Sequence, residues 1–452
     1  MKNALTFCMC LAATTLAFAQ AKPSDVDDLV GKKEGATEKT GQKFPEMPKS
    51  ARADHPPAGL SNDMHVTGDP ETKYKIFIPP QYEKSPEAQF PLLINHNPSA
   101  RTNIKPYVAW AEKVGAVIVG IDGAGNGTER GLKFRRQDAI MKDLITRGVR
   151  VHPQLAFTIG MSGGSADGMR LIRRKPERYA GSVLMGAGGI VNSPQAKHFA
   201  YVILGGAKDE WMNGEACYKM VAEARTLGCP VKLALGIDRQ HKEASLEQQY
   251  WGMTWLLETQ KLRMPTLPEE QRKANLDAAR QRMVNIDRVA DVKDRLAEAE
   301  LLIDLEPLKV FEKERDVVGS AWAKALLELA AAETDAVKRH AFLIERGLQM
   351  HGRNEALPET ASKPVQAAVD ALRKDAAVAK DWAIREKYLA LAEEEMAAGI
   401  NPEKLKTVLP KWDELAKSAD GEWARTIARR ARIVKLFIDE PSTIEKPTKL
   451  RD

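Results

Sequence analysis

Between Tyr74 and Gln260 short apolar runs take turns with stretches whose apolar residues recur at helical spacing. Tyr74-Lys75-Ile76-Phe77-Ile78 alternates with the two-residue period of a strand and stops at Pro79-Pro80, which lacks the N–H groups needed to continue a ladder. The later runs do not alternate. Phe90-Pro91-Leu92-Leu93-Ile94, Ala116-Val117-Ile118-Val119-Gly120 and the segments 155–160, 181–187, 199–206 and 231–237 are mainly apolar, as strands buried on both faces are. Helical periodicity marks 104–114, 137–147, 164–175, 213–227 and 245–260. Such rotation of strand and helix predicts right-handed crossover units, hence an α/β fold with a mainly parallel sheet flanked by helices.

The pattern changes on either side of this block. From Pro265 onward Ala, Leu, Glu, Lys and Arg dominate, with breaks near Glu306-Pro307, Gly352, Pro358, Gly399-Ile400-Asn401-Pro402 and Asp420-Gly421. About six to eight antiparallel helices are expected there, as an all-α region. Before the block, residues 22–70 are rich in Lys, Glu, Asp, Pro and Gly and show no apolar period, which predicts an extended or disordered leader. Residues 1–21 read as a secretory signal peptide: Lys2, a mostly apolar stretch from Ala4 to Phe18, and small residues for cleavage near Ala19 or Ala21. The expected division is therefore signal peptide 1–21, leader 22–70, sheet domain 71–262, helical domain 263–440 and tail 441–452. Export to a bacterial periplasm or the medium follows, with no stable membrane insertion, because no later run is long enough to span a bilayer.

Composition alters this picture little. The 452 residues hold 68 basic and 62 acidic side chains, a net charge of +6 too balanced for a dedicated nucleic-acid binder. Beyond the signal only Cys217 and Cys229 remain, and the helix expected between them separates the pair by more than a disulfide spans. No zinc-spaced Cys/His cluster and no His-Glu-x-x-His occurs, so neither a metal nor another cofactor is expected.

In a mainly parallel sheet, chemistry gathers at the carboxyl ends of the strands. After 155–160 comes Gly160-Met161-Ser162-Gly163-Gly164, a serine bracketed by glycines between a strand and a helix. This is the form of a nucleophile elbow, although glycine-rich turns that cradle phosphates share the pattern. After 199–206 comes Ala207-Lys208-Asp209-Glu210-Trp211, and after 231–237 comes Asp238-Arg239-Gln240-His241. A nucleophile, an acid and a base thus follow successive strands in the order Ser162, Asp209, His241. Each has a bland alternative: a small turn residue, a helix cap, a surface histidine. Asp238 suits a turn better than a catalytic role.

This order and placement resemble the α/β-hydrolase superfamily, and within it secreted esterases akin to polyhydroxyalkanoate depolymerases and feruloyl or acetyl xylan esterases. The resemblance covers residues 72–262 and rests on the elbow, on Gly206-Ala207-Lys208-Asp209, on Gly236 to His241 and on the opening from Tyr74 to His96. It implies a serine hydrolase cleaving carboxylic esters through Ser162, His241 and Asp209. The oxyanion hole would use the N–H of Gly163 and a donor from the loop after Ile94. There the family often has His-Gly and a small residue, whereas this chain reads His96-Asn97-Pro98-Ser99. Pro98 has no N–H to give, which leaves Asn97, Ser99 or a side chain as the second donor.

Other residues fit quieter roles. Trp211 would line an acyl pocket, while Trp251 and Trp255, four apart on a helical stretch, suit core packing. Arg130, Arg135 and Arg136, and again Arg429, Arg430 and Arg432, read as solvated basic faces. The short link from Gly188 to His198 predicts an open cleft, suited to polymer ends or bulky esters, unless the helical region covers it, and that region would otherwise serve partner docking or surface attachment. Two rival readings remain: a peptidase of the prolyl-oligopeptidase type, and a non-catalytic binding protein on the same fold.

Overall fold

In the computed structural model, residues 55–439 are described except 207–208, 210–211, 213, 237–238, 264–266, 350–356 and 399–400. The expected signal peptide, most of the leader, the tail from Pro441, Trp211 and Asp238 lie outside the described residues.

Eight strands form one sheet: β1 (Gly59–Val66), β2 (Asp69–Ile78), β3 (Phe90–His96), β4 (Val117–Ile121), β5 (Val151–Met161), β6 (Gly181–Met185), β7 (Ala200–Gly206) and β8 (Val231–Gly236). Their order is β1-β2-β4-β3-β5-β6-β7-β8. β2 runs antiparallel to both of its neighbours, and every pair from β4 to β8 is parallel. The unalternating apolar runs are the parallel strands: every residue of β3, β4, β6, β7 and β8 is buried. Connecting helices include α1 (Gln81–Lys84), α2 (Val108–Val114), α3 (Arg130–Thr146), α4 (Gly163–Arg174), α5 (Gly214–Thr226) and α6 (Leu246–Arg263).

Two boundaries show most clearly where the sequence reading falls short, and β5 likewise begins four residues before the expected 155. Residues 59–70, expected as leader, form β1 and the start of β2, joined by a tight turn at Thr67-Gly68 in which Gly68 takes φ 80°. β1 is an edge strand whose Leu60 and Met64 are only half-buried, so it carries no strong apolar alternation. Helix α3 begins seven residues before the expected 137, because Glu129 caps it by accepting from the N–H groups of Gly131 and Leu132. Its first turns are too polar to show a period.

Beyond α6 the described residues form α7 (Glu269–Val284), α8 (Val292–Asp304), α9 (Glu312–Ala331), α10 (Ala336–Phe342), α11 (Glu359–Leu372), α12 (Ala376–Ala398), α13 (Pro402–Ser418) and α14 (Gly421–Asp439). No core boundary falls at 262/263. Phe157, Val183 and Val202 of the sheet, Trp251 and Trp255 of α6, and Leu301, Trp322 and Val365 of the following helices belong to one buried cluster. A separate cluster begins only with the last three helices, around Tyr388, Trp412, Trp423 and Val434. Trp251 and Trp255 are core residues as expected, and Cys217 and Cys229 are buried and not joined by a disulfide. Among the described residues no helix is long and apolar enough to cross a membrane.

Candidate active site

The strand order sets the position of the site. From β3 the chain steps one way to β4 and then crosses to the other side of β3 to place β5, so the crevice at the carboxyl ends of β3 and β5 is the switch point of the sheet. Register aligns His96 at the tip of β3 with Gly160 near the tip of β5. Ser162 stands immediately after β5.

Ser162 is the only non-glycine residue with positive φ among the described residues, at φ 52° and ψ −122°. That region is costly for an L-residue and persists only where the surroundings hold it. Here they do: the Ser162 N–H donates to the Met185 carbonyl at 2.7 Å, and the Met185 N–H donates to Ser165 Oγ at 2.9 Å. Ser165 Oγ donates in turn to the carbonyl of Gly160. The flanking glycines are required by close approach. A methyl group on Gly160 would lie 2.7 Å from the Ser165 nitrogen, and one on Gly164 would run into the carbonyl oxygen of His96.

Three side chains from three strand ends meet above this turn. Ser162 Oγ is 3.0 Å from His241 Nε2, and His241 Nδ1 is 3.0 Å from both carboxylate oxygens of Asp209. Asp209 is 2% exposed and also accepts from the Met212 N–H at 2.9 Å, so its orientation is set from two sides. A hydroxyl bonded to an imidazole that a carboxylate orients is the arrangement in which the imidazole takes the hydroxyl proton. Ser162, His241 and Asp209 are thus brought together as the sequence order implied.

Gly163 opens α4, where the first N–H groups of a helix have no partner within it. Asn97 lies on the other side of the elbow: a methyl on Gly164 would sit 3.2 Å from its backbone nitrogen. Its side chain is occupied elsewhere, the amide oxygen accepting from the N–H of Ser99 at 2.9 Å and from Ser99 Oγ at 2.8 Å. Pro98 fastens the loop by accepting from the Asn126 N–H at 2.8 Å. Sequence reasoning missed Asn126, whose amide oxygen lies where a side chain on Gly163 would go. The signal available was the glycine-rich loop Gly123 to Gly127, which has room to fold over the elbow.

Beneath the site, Lys133 and Asp167 form a buried ion pair at 3.0 Å, and Arg170 meets the same carboxylate at 2.8 Å. Burial pushes the His96 imidazole down to about 4, so it is neutral at working pH. Arg136 is not merely part of a solvated face, since it donates to the Gly123 carbonyl. Arg135 is exposed beside Glu129 at 3.8 Å. Among the described residues no group of three His, Cys, Asp or Glu side chains converges as a metal would need.

The helical region reaches the rim. Arg430 of α14, expected on a solvated face, is 9% exposed and donates from Nε to Glu395 of α12 at 2.9 Å, while Trp412 of α13 donates to the same carboxylate at 3.0 Å. Glu395 first, and Asp209 among the lesser charges, raise the Arg430 guanidinium's affinity for its proton against the cost of burial.

Strand order, switch point and strained serine turn together define a fold of the α/β-hydrolase type. No protein-family model matches the chain, and no curated protein matches its sequence. Among solved structures it is similar to a thermostable esterase (15% identity over 43% of this chain and 59% of that one, TM-score 0.33) and to a ferulic acid esterase (14% identity, 41% and 89%, TM-score 0.32). It is also similar to a carboxylesterase of Bacillus cereus, at 14% identity over 42% of this chain and 96% of that one, TM-score 0.33. The chain spans well under two thirds of the thermostable esterase, at 59%.

Proposed function

We propose that this protein is an exported serine hydrolase that cleaves carboxylic esters through an acyl-enzyme. The observation that carries the reading is the strained Ser162 with its hydroxyl 3.0 Å from an imidazole whose other nitrogen meets a buried carboxylate. In the first half-reaction Ser162 Oγ forms a bond to the ester carbonyl carbon while His241 Nε2 takes the hydroxyl proton. The tetrahedral adduct collapses by breaking the bond to the alcohol oxygen, and His241 returns that proton to the departing alkoxide. Water then repeats the sequence on the acyl group and frees Ser162. Asp209 keeps the proton on Nδ1 so that Nε2 faces the serine.

The N–H groups of Gly163 and Asn97 serve as oxyanion donors. Support for Gly163 is its position at the start of α4. For Asn97 it is a backbone nitrogen flanking the elbow, combined with a side chain already committed to Ser99. Donors fixed before charge develops are worth roughly 3–4 kcal/mol of barrier each.

The purified chain is expected to turn over nitrophenyl acetate and not peptide anilides. Anilide cleavage at comparable efficiency would replace the esterase reading with the peptidase one, and turnover of neither would support a binding role for the fold.

A further inference from the structure

The loop after β4 brings one side-chain amide to the first turn of α4. Asn126 is exposed there and rests against Gly163: a methyl group on Gly163 would lie 1.8 Å from Asn126 Oδ1, 2.8 Å from Cγ and 3.1 Å from Nδ2. A side chain at position 163 would displace the amide. The next position along the loop is open, since a methyl on Gly127 would meet nothing within 4 Å.

The backbone that carries this amide is fixed. The Asn126 N–H donates to the Pro98 carbonyl at 2.8 Å and the Gly123 N–H to the Ala100 carbonyl at 2.6 Å, which laces the loops after β3 and β4 together. Thr128 closes the turn, its N–H donating to the Gly125 carbonyl and its Oγ1 to the Gly123 carbonyl, both at 3.0 Å. Gly125 packs so tightly that a methyl there would lie 2.6 Å from the Ala100 nitrogen. The polar side chains of the facing loop are committed to one another: Asn97 Oδ1 accepts from the Ser99 N–H, and Ser99 Oγ lies 2.8 Å from both Asn97 Oδ1 and the Arg101 carbonyl oxygen. Among the described residues the Asn126 side-chain amide makes no hydrogen bond.

We propose that the Asn126 amide is a third oxyanion donor, presenting Nδ2 beside the Gly163 N–H to the carbonyl oxygen of the substrate as negative charge develops there. The assignment rests on the esterase reading for its chemistry. Pro98 offers this wall a carbonyl and no N–H, and that carbonyl is what holds the Asn126 backbone in place. A side-chain donor thus stands next to the position where a backbone donor is missing. The last torsion of an asparagine is broad, so turning an unbonded amide to face the oxygen costs little. An oxyanion accepts more strongly than a neutral carbonyl, so the bond acts on kcat rather than on KM.

The test compares the full wild-type chain with N126A and N126D on nitrophenyl acetate, with kcat and KM read separately, and follows the rate of fluorophosphonate labelling at Ser162. Both substitutions alter an exposed side chain and leave the backbone bond to Pro98 intact, so unchanged thermal melts are expected. N126A is expected to lower kcat about 10²-fold while KM stays within about threefold. N126D sets a carboxylate where a donor is needed and is expected to lower kcat further. Labelling should slow in the same order. A fall in kcat of less than about tenfold in N126A, a loss carried by KM alone, or labelling as fast as wild type overturns the assignment, because a contact that only shapes the loop or binds the ground state behaves in that way. Each of those results leaves the esterase reading standing, since the wild type still turns over. A wild type that neither hydrolyses the ester nor takes the label refutes the esterase reading itself, and the Asn126 assignment falls with it.

Discussion

Ser162→Ala is expected to lower nitrophenyl acetate turnover by about 10⁴-fold or more while leaving the thermal melt and far-UV circular dichroism unchanged. In the proposed mechanism the size follows from removing the atom that bonds the acyl carbon, since neither His241 nor the backbone donors can replace it. The fold should persist because the strain at Ser162 belongs to the backbone. The bonds that hold it run from its N–H to Met185 and through Ser165 Oγ, none of which involves the hydroxyl of Ser162. Steady-state rates on wild type and variant at matched concentration check this. Turnover within tenfold of wild type would mean that Ser162 is only a turn residue.

Lys232→Met is expected to destabilise the protein by about 3–5 kcal/mol, read as a lower urea midpoint at constant m. Lys232 on β8 meets Asp304 at the end of α8 at 2.9 Å, with side chains only 3% and 2% exposed. Taking away the cation removes the charge that this buried carboxylate meets between the sheet and the helices that share its core. K232M/D304L, which removes both charges, should recover most of the loss. A cost below about 1 kcal/mol for Lys232→Met would show that the pair does not join the two regions energetically.

That junction was among the least legible features of the sequence. The parallel strands were readable because a strand buried on both faces is a continuous apolar run, and β3, β4, β6, β7 and β8 are buried throughout. The elbow was readable because close packing at the turn demands glycines: a methyl on Gly160 would meet the Ser165 nitrogen, and one on Gly164 the His96 carbonyl. By contrast, the change in composition at Pro265 suggested a new domain, while Leu301 and Trp322 complete the same core as Phe157. Composition reports helix propensity, and a core is shared across changes in propensity.

The site was legible to the extent that its residues sit at strand ends. Ser162, Asp209 and His241 follow β5, β7 and β8, so chain order and topology bring them together. Asn126 and Arg430 carry no such marker. The first reaches Gly163 through a loop folded by Pro98, and the second is drawn inward by Glu395, 35 residues away in sequence. Arginine read alone suggests solvent, and only the partner reveals burial.

A Ser162 nucleophile activated by His241 should react with an electrophile that mimics the ester. Labelling the full-length chain with a fluorophosphonate and locating the adduct by peptide mass spectrometry tests it most directly. One adduct on Ser162 is expected, absent from Ser162→Ala and strongly slowed in His241→Ala. A folded wild-type chain that takes no label at Ser162, or labels equally fast without His241, would contradict it.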